Sequence, residues 1–252
     1  MIRKKKILLI GNGFLAKKIA KFLNQKNITC NFCKIRGYFS IKELKYKIKK
    51  KYDIAIILFG KTSILYCEKY KKNSYEVNVK KTIKVIEALN KQNIKLKYFP
   101  SDMVFTGEKK KYYPNSLQDS KFQYGIQKSI IEDKYKKHSN MCILRLSKVI
   151  DSAPNFFIKK TKKKYLKKIC APILSRDVCL LVYKIIRHYK SGIYQYSSSP
   201  PVSNDALFKK NNVNKVLFPR MYNNIFNFYK KTLENSSSHV ILQKLNYVKS
   251  NK

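Results

Sequence analysis

The run Ile7-Leu8-Leu9-Ile10, followed at once by Gly11-Asn12-Gly13-Phe14-Leu15-Ala16, constrains this chain more than any other stretch. Four consecutive apolar residues read as a buried strand, the glycines as a tight turn, and Ile19, Phe22 and Leu23 as the apolar stripe of a helix. A strand that is apolar on both faces belongs in a parallel sheet covered by helices on each side. In this GxGxxA spacing Gly11 admits the turn, Gly13 lets the backbone approach a pyrophosphate, and Ala16 allows the helix to pack closely. The amides at the helix start favour an anion there. Gly11, Asn12, Gly13, Phe14 and Leu15 are therefore candidate cofactor-binding residues.

The pattern then repeats. Ile28 to Cys33 reads as a second strand, with no Asp or Glu at its end to bind a ribose 2′-hydroxyl; Lys34 and Arg36 follow instead and suit the 2′-phosphate of NADP, with NAD as the alternative. Ile41, Leu44 and Ile48 recur at helical spacing, and Ile54 to Phe59 reads as a central strand ending at Gly60, which adds Phe59 and Gly60 to the cofactor candidates. A helix is expected from Ser74 to Lys91, with Val79, Ile83 and Ile86 on one stripe. Leu96 to Phe99 and Met141 to Leu146 read as further strands, with a helix holding Tyr124 and Lys128 between them. Asp177 opens another amphipathic helix carrying Val178, Leu181, Val182, Ile185 and Ile186. The expected class is α/β, a Rossmann-like doubly wound parallel sheet over residues 1–150 with a small C-terminal α/β substrate-binding portion over 151–252. A basic segment runs from Lys159 to Lys168, and an aromatic helical stretch from Tyr222 to Tyr229 carries no recognisable chemistry.

Ser101, Tyr124 and Lys128 have a chemical use together. Tyr124 and Lys128 leave one face of a helix, four residues apart, and a nearby ammonium lowers the pKa of a phenol so that it can exchange a proton with an alcohol or carbonyl. Ser101 follows a strand's carboxyl end, where open α/β sheets bind their ligands.

A formal charge of +42 suggests a polyanion partner, but lysine is spread along almost every segment and arginine is scarce. Enrichment in Lys, Asn, Ile and Tyr together follows from an AT-rich coding background, so nucleic acid is not the expected partner; an anionic small substrate is. The six scattered cysteines read as reduced thiols of a cytoplasmic protein, and Cys30 to Cys33 lacks a second ligand pair, so no metal is expected. The basic N-terminus lacks a signal-peptide pattern, and no apolar run reaches membrane-spanning length.

Taken together, the chain resembles the extended short-chain dehydrogenase/reductase superfamily, and within it the dTDP-4-dehydrorhamnose reductase branch. The resemblance rests on Ser101-Asp102-Met103-Val104-Phe105-Thr106-Gly107 and Tyr124-Gly125-Ile126-Gln127-Lys128, with Cys67-Glu68, Asn78 between valines, Arg145 in Leu-Arg-Leu-Ser, and Gly192-Ile193-Tyr194. It implies that Tyr124 is the general acid that protonates a sugar carbonyl as hydride arrives, that Lys128 binds the nicotinamide ribose and depresses the tyrosine pKa, and that Ser101 hydrogen-bonds the carbonyl. Asn78 would order the helix beside the cofactor. The implied activity is NAD(P)H-dependent reduction of a nucleotide-linked 4-keto sugar in surface polysaccharide or lipopolysaccharide synthesis. A sugar-nucleotide epimerase and a non-catalytic relative are the alternatives, and a homodimer is left open. The glycine loop departs from the superfamily's usual GxxGxxG. Met103 stands where dehydratases carry an acid, which disfavours 4,6-dehydration, and the stretch from Ile150 to Pro172 is short for a sugar-nucleotide pocket.

Overall fold

The computed structural model describes residues 5–34, 41–49, 52–109, 112–150, 169–170, 173–187, 191–197 and 202–203. Strands β1 (Ile7–Ile10), β2 (Cys30–Cys33), β3 (Ile54–Ile57), β4 (Lys95–Tyr98) and β5 (Met141–Leu146) pair in parallel, β1 with both β2 and β3, β3 with β4, and β4 with β5. With β9 (Gly192–Tyr196) at one edge, the order is β2-β1-β3-β4-β5-β9. The chain winds outward from β1 to β2, then crosses back to β3. The sheet therefore has a switch point between β1 and β3, and the crevice at their carboxyl ends is where such sheets take ligands.

Burial explains the continuous apolar runs. All four β1 residues are inaccessible to solvent, and successive side chains point to opposite faces. On one face Leu8, Ile10, Ala55, Ile57, Leu96, Tyr98, Met141 and Ile143 join a single core with Leu44 and Ile48 of α2 (Ile41–Ile48). Val85, Ile86 and Leu89 of α5 (Thr82–Asn90), with Ile131 and Tyr135 of α6 (Gln123–Tyr135), complete that core. Each fully buried aliphatic side chain of this kind contributes about 1.5–3 kcal/mol. The other face receives Ile7, Leu9, Ile54 and Ile56, and helix α1 (Phe14–Gln25) buries Ile19 and Leu23 outside the first core. Phe22 of α1 meets Tyr183 of α7 (Ser175–Arg187) edge to face at 6.3 Å. The expected helices on both sides of a mostly parallel sheet are thus present. Two buried charged residues break the apolar rule in the described strands, Arg145 of β5 and Lys97 of β4; Lys97, in register with Cys142 of β5, is fully buried, and burial pulls its ammonium down to about 8.

The helix expected over Ser74 to Lys91 is interrupted. Helix α4 (Lys71–Tyr75) passes into a π-helical turn, Glu76–Lys81, before α5 begins. The Thr82 hydroxyl donates to the Val77 carbonyl at 3.2 Å within the widened turn. The apolar spacing of Val79, Ile83 and Ile86 tolerates such a turn, which is why periodicity could not reveal it.

The chain divides into two compact units, Met1–Arg145 with Cys179–Tyr194 and Leu146–Val178 with Gln195–Lys252. In the second, β6 (Val149–Ile150) pairs in parallel with β8 (Ile173–Leu174), and β7 (Ile169–Cys170) pairs antiparallel with β10 (Val202–Ser203). Lys159 to Lys168 and Tyr222 to Tyr229 lie outside the described residues.

Helix α6 is tied to β5 by a fully buried ion pair. Arg145 Nε donates to Glu132 Oε1 and Oε2 at 3.2 and 2.9 Å, its Nη2 donates to Oε2 at 2.7 Å, and its Nη1 donates to the Pro114 carbonyl at 3.1 Å. Gln118 Nε2 also donates to Glu132 Oε2, at 2.6 Å. Removing one partner strands a charge in the interior, so Arg145→Met should lower unfolding free energy by about 3–5 kcal/mol in urea melts. Adding Glu132→Leu to that variant should recover most of the loss; a double variant no more stable than Arg145→Met alone would contradict this account.

Candidate active site

The glycine turn after β1 is built as its sequence requires. Gly11 has φ +110°, and a Cβ there would stand 3.1 Å from the Phe59 backbone nitrogen, so β1 and β3 approach too closely for a side chain. Its N–H donates to the Cys33 carbonyl at 2.8 Å, which sets the exposed Lys34 beside the turn. Gly13 caps α1 in extended conformation, and no side chain caps the helix. A Cβ on Gly13 would meet nothing within 4 Å. The start of α1 is thus uncapped by any side chain and uncrowded at Gly13, and its orphan amides and positive dipole end fit a pyrophosphate. Asn12 and Leu15 are half-buried, and Phe14 is exposed with the Lys18 ammonium 5.7 Å from its ring centroid. Arg36 lies outside the described residues.

The second turn, after β3, is held from below. Phe59 packs on the core, and Gly60 adopts φ +153°, with its Cβ position 3.0 Å from Asn78 Oδ1 and 3.3 Å from Lys128 Nζ. Asn78 is fully buried in the π turn; its Oδ1 accepts from the Lys61 N–H at 2.7 Å and its Nδ2 donates to the Lys61 carbonyl at 3.0 Å. The same Nδ2 donates to Gln127 Oε1 at 2.8 Å, and Gln127 Nε2 donates to Ser74 Oγ at 2.9 Å. Cys67, also buried, donates its thiol to the Lys61 carbonyl at 3.3 Å.

Helix α6 brings the catalytic candidates to this place. Glu68, at the end of α3 (Ile64–Lys69), accepts the Gln123 N–H at 2.7 Å and so satisfies an otherwise orphan amide at the helix start. At Gly125 any Cβ would overlap the Met103 carbonyl oxygen and Ser120 Oγ. That contact fixes the Ser101–Met103 turn against the first turn of α6. Tyr124 and Lys128 are both buried on this helix, and the Lys128 ammonium sits 5.6 Å from the Tyr124 ring centroid and 5.3 Å from that of Tyr98. Such cation–π contacts hold the lysine head in place after it has lost its water. Ser101 opens a single 3₁₀ turn, Asp102–Val104; its Oγ accepts from the Met103 N–H at 3.3 Å and donates to Asp102 Oδ1 at 3.0 Å. A bond from this hydroxyl to a carbonyl therefore needs the O–H to rotate away from Asp102.

The electrostatics correct one expectation. Burial pulls Lys128 down to about 8, with Cys67 and the Glu132 carboxylate opposing the shift. Tyr124 is pushed up, first by burial and then by the Asp102 carboxylate and by Cys67, so the phenol is not depressed by its lysine. Desolvation outweighs the ammonium in this pocket. Tyr124 consequently keeps its proton at neutral pH, the form a general acid needs. Asp102, Glu68 and Gln127 had no role assigned from the sequence alone. Gln127 carried a usable signal, three residues from Tyr124 on the same helix face.

The RmlD substrate binding domain family matches residues 5–170. The chain belongs to that family. Among solved structures, dTDP-4-dehydrorhamnose reductase from Bacillus anthracis, in complex with NADP, is 20% identical, with a TM-score of 0.73 over 85% of this chain and 83% of that one. The Clostridium acetobutylicum dTDP-4-dehydrorhamnose reductase is 19% identical, with a TM-score of 0.72 over 82% and 81%. UDP-glucose 4-epimerase from Thermotoga maritima, with UDP-glucose, is 14% identical, with a TM-score of 0.65 over 81% and 80%. A comparison with curated proteins returns no match. Among the described residues no helix is long and apolar enough to cross a membrane.

The depressed lysine gives a pH test. Folded Lys128 releases its proton near 8, whereas the unfolded chain holds it to about 10.5, so the unfolded state binds more protons between those values and stability rises with pH across that window. The stability difference between wild type and Lys128→Met, from urea melts, should therefore move in favour of wild type from pH 8 to 10.5. A flat difference would place Lys128 in solvent.

Proposed function

We propose that this protein is an NADPH-dependent reductase of a nucleotide-linked 4-keto sugar, acting in the cytoplasm in the synthesis of a surface polysaccharide or lipopolysaccharide. The observation that carries the reading is the placement of Tyr124 and Lys128: buried side by side on α6, with Lys128 against the Gly60 turn and α6 packed on the Ser101 turn. The glycine turns at the carboxyl ends of β1 and β3 are shaped for a dinucleotide. Membership of the RmlD substrate binding domain family and the NADP carried by the Bacillus anthracis reductase support the same cofactor and substrate class.

The residues divide the work. The amides of Gly13 to Leu15 receive the pyrophosphate, and Lys34 lies beside the turn where a 2′-phosphate would fall. Lys128, held by two aromatic rings, binds the nicotinamide ribose hydroxyls. When bound, the reduced nicotinamide supplies the hydride. Ser101 donates a hydrogen bond to the sugar carbonyl oxygen, and Tyr124, still protonated, gives that oxygen its proton as the carbon receives hydride, so the ketone becomes an alcohol. Met103 offers no acid or base, which leaves reduction rather than dehydration as the chemistry.

Purified protein incubated with dTDP-4-dehydro sugars and NADPH should consume the reduced cofactor, followed by absorbance. Tyr124→Phe, which keeps the ring and removes the proton, should slow turnover by about 10² or more. Unchanged turnover would remove Tyr124 from the role of acid. Isomerised sugar with no net loss of NADPH would replace the reductase by an epimerase using the same pair.

A further inference from the structure

We infer that Gln127 is a positioning residue: it fixes the amide of Asn78, and through it the Gly60–Lys61 turn that faces Lys128. The hydrogen bonds run in one direction. The Lys61 N–H donates to Asn78 Oδ1 at 2.7 Å, Asn78 Nδ2 donates to Gln127 Oε1 at 2.8 Å, Gln127 Nε2 donates to Ser74 Oγ at 2.9 Å, and the Ser74 hydroxyl donates to the Lys71 carbonyl at 3.0 Å. A backbone N–H anchors one end and a backbone carbonyl the other, so neither amide can turn over without setting like groups against each other.

The side chains of Ser74, Asn78 and Gln127 are all buried, and a buried amide that loses its partner has no water to replace it. Asn78 needs Gln127 in particular. Its Oδ1 and Nδ2 grip both the N–H and the carbonyl of Lys61, and the shortest bond of Nδ2, at 2.8 Å, goes to Gln127 Oε1, which adds to that orientation and ties the grip to α6. Gly60, next in the chain, has no Cβ to resist motion, and its Cβ position lies 3.3 Å from Lys128 Nζ. A turn released from Asn78 therefore moves against the lysine that holds the ribose. The positioning rests on geometry alone; its consequence for the cofactor rests on the dinucleotide reading of this turn.

The test has two readouts. Gln127→Met keeps volume and helix propensity but offers neither donor nor strong acceptor. In the protein without cofactor, hydrogen exchange at the Lys61 amide should speed by about tenfold relative to wild type while the β3 amides of Ala55 and Ile56 are unchanged. In calorimetry the NADPH Kd should rise by about tenfold, the scale of one lost buried partner. Lys61 exchange equal to wild type, or a rise shared equally by β3, overturns the positioning role, the latter because the effect is then global stability. If Gln127→Met does not fold, Ser74→Ala carries the test: it removes the acceptor that orients Gln127 and should speed Lys61 exchange by about threefold, and no change there overturns the proposal. Wild-type protein that binds no NADPH sinks the dinucleotide reading, and the exchange measurement still decides the positioning role.

Discussion

The first turn of α6 touches the Ser101–Met103 turn where nothing larger than hydrogen fits. A Cβ at Gly125 would collide with the Met103 carbonyl and Ser120 Oγ, so the helix and the turn can meet only with glycine there. Most of the site follows from this contact. It brings Tyr124 on α6 toward the Ser101 turn that follows β4. The same stretch of helix presents Lys128 to the turn after β3, so two strand ends converge on one helix.

Contacts with a direction hold the helix that makes this approach. At its start Glu68 accepts the Gln123 amide across a long sequence separation. Further along, Arg145 grips Glu132 with two nitrogens and reaches the Pro114 carbonyl, while its guanidinium lies 4.9 Å from the Phe105 ring centroid. Burial pushes the Glu132 carboxyl up even against that arginine, which marks the pair as a device for fixing geometry more than a source of stability. Thr106, in the same segment as Phe105, is fastened to Asp119 through its N–H at 2.8 Å and its hydroxyl at 3.2 Å. The segment from Ser101 to Gly107 is thus anchored at both of its ends.

Burial shapes the chemistry as well as the frame. Removing water from Lys128 favours its neutral form, and removing it from Tyr124 favours the phenol over the phenolate. The expected depression of the tyrosine by its lysine assumed the two charges in isolation. In the folded chain both groups pay for desolvation, and the carboxylate of Asp102 adds to the tyrosine's shift.

The sequence by itself determined the five parallel strands, most of the helices between them and the positions of the glycine turns, but not the edge strand β9, helix α3 or the interruption before α5, because burial on two faces writes an apolar run and a tight turn demands glycine at Gly11 whatever surrounds it. It also placed Tyr124 and Lys128 on one helix face, since helical geometry is local. Only the tertiary structure decided the π turn that carries Asn78, the chain of amides through Gln127 and Ser74, the cap of α6 by Glu68, and the direction of the tyrosine's pKa. These depend on residues tens of positions apart meeting out of reach of water, and no local pattern records which distant groups a fold will bring together or how much solvent it will exclude.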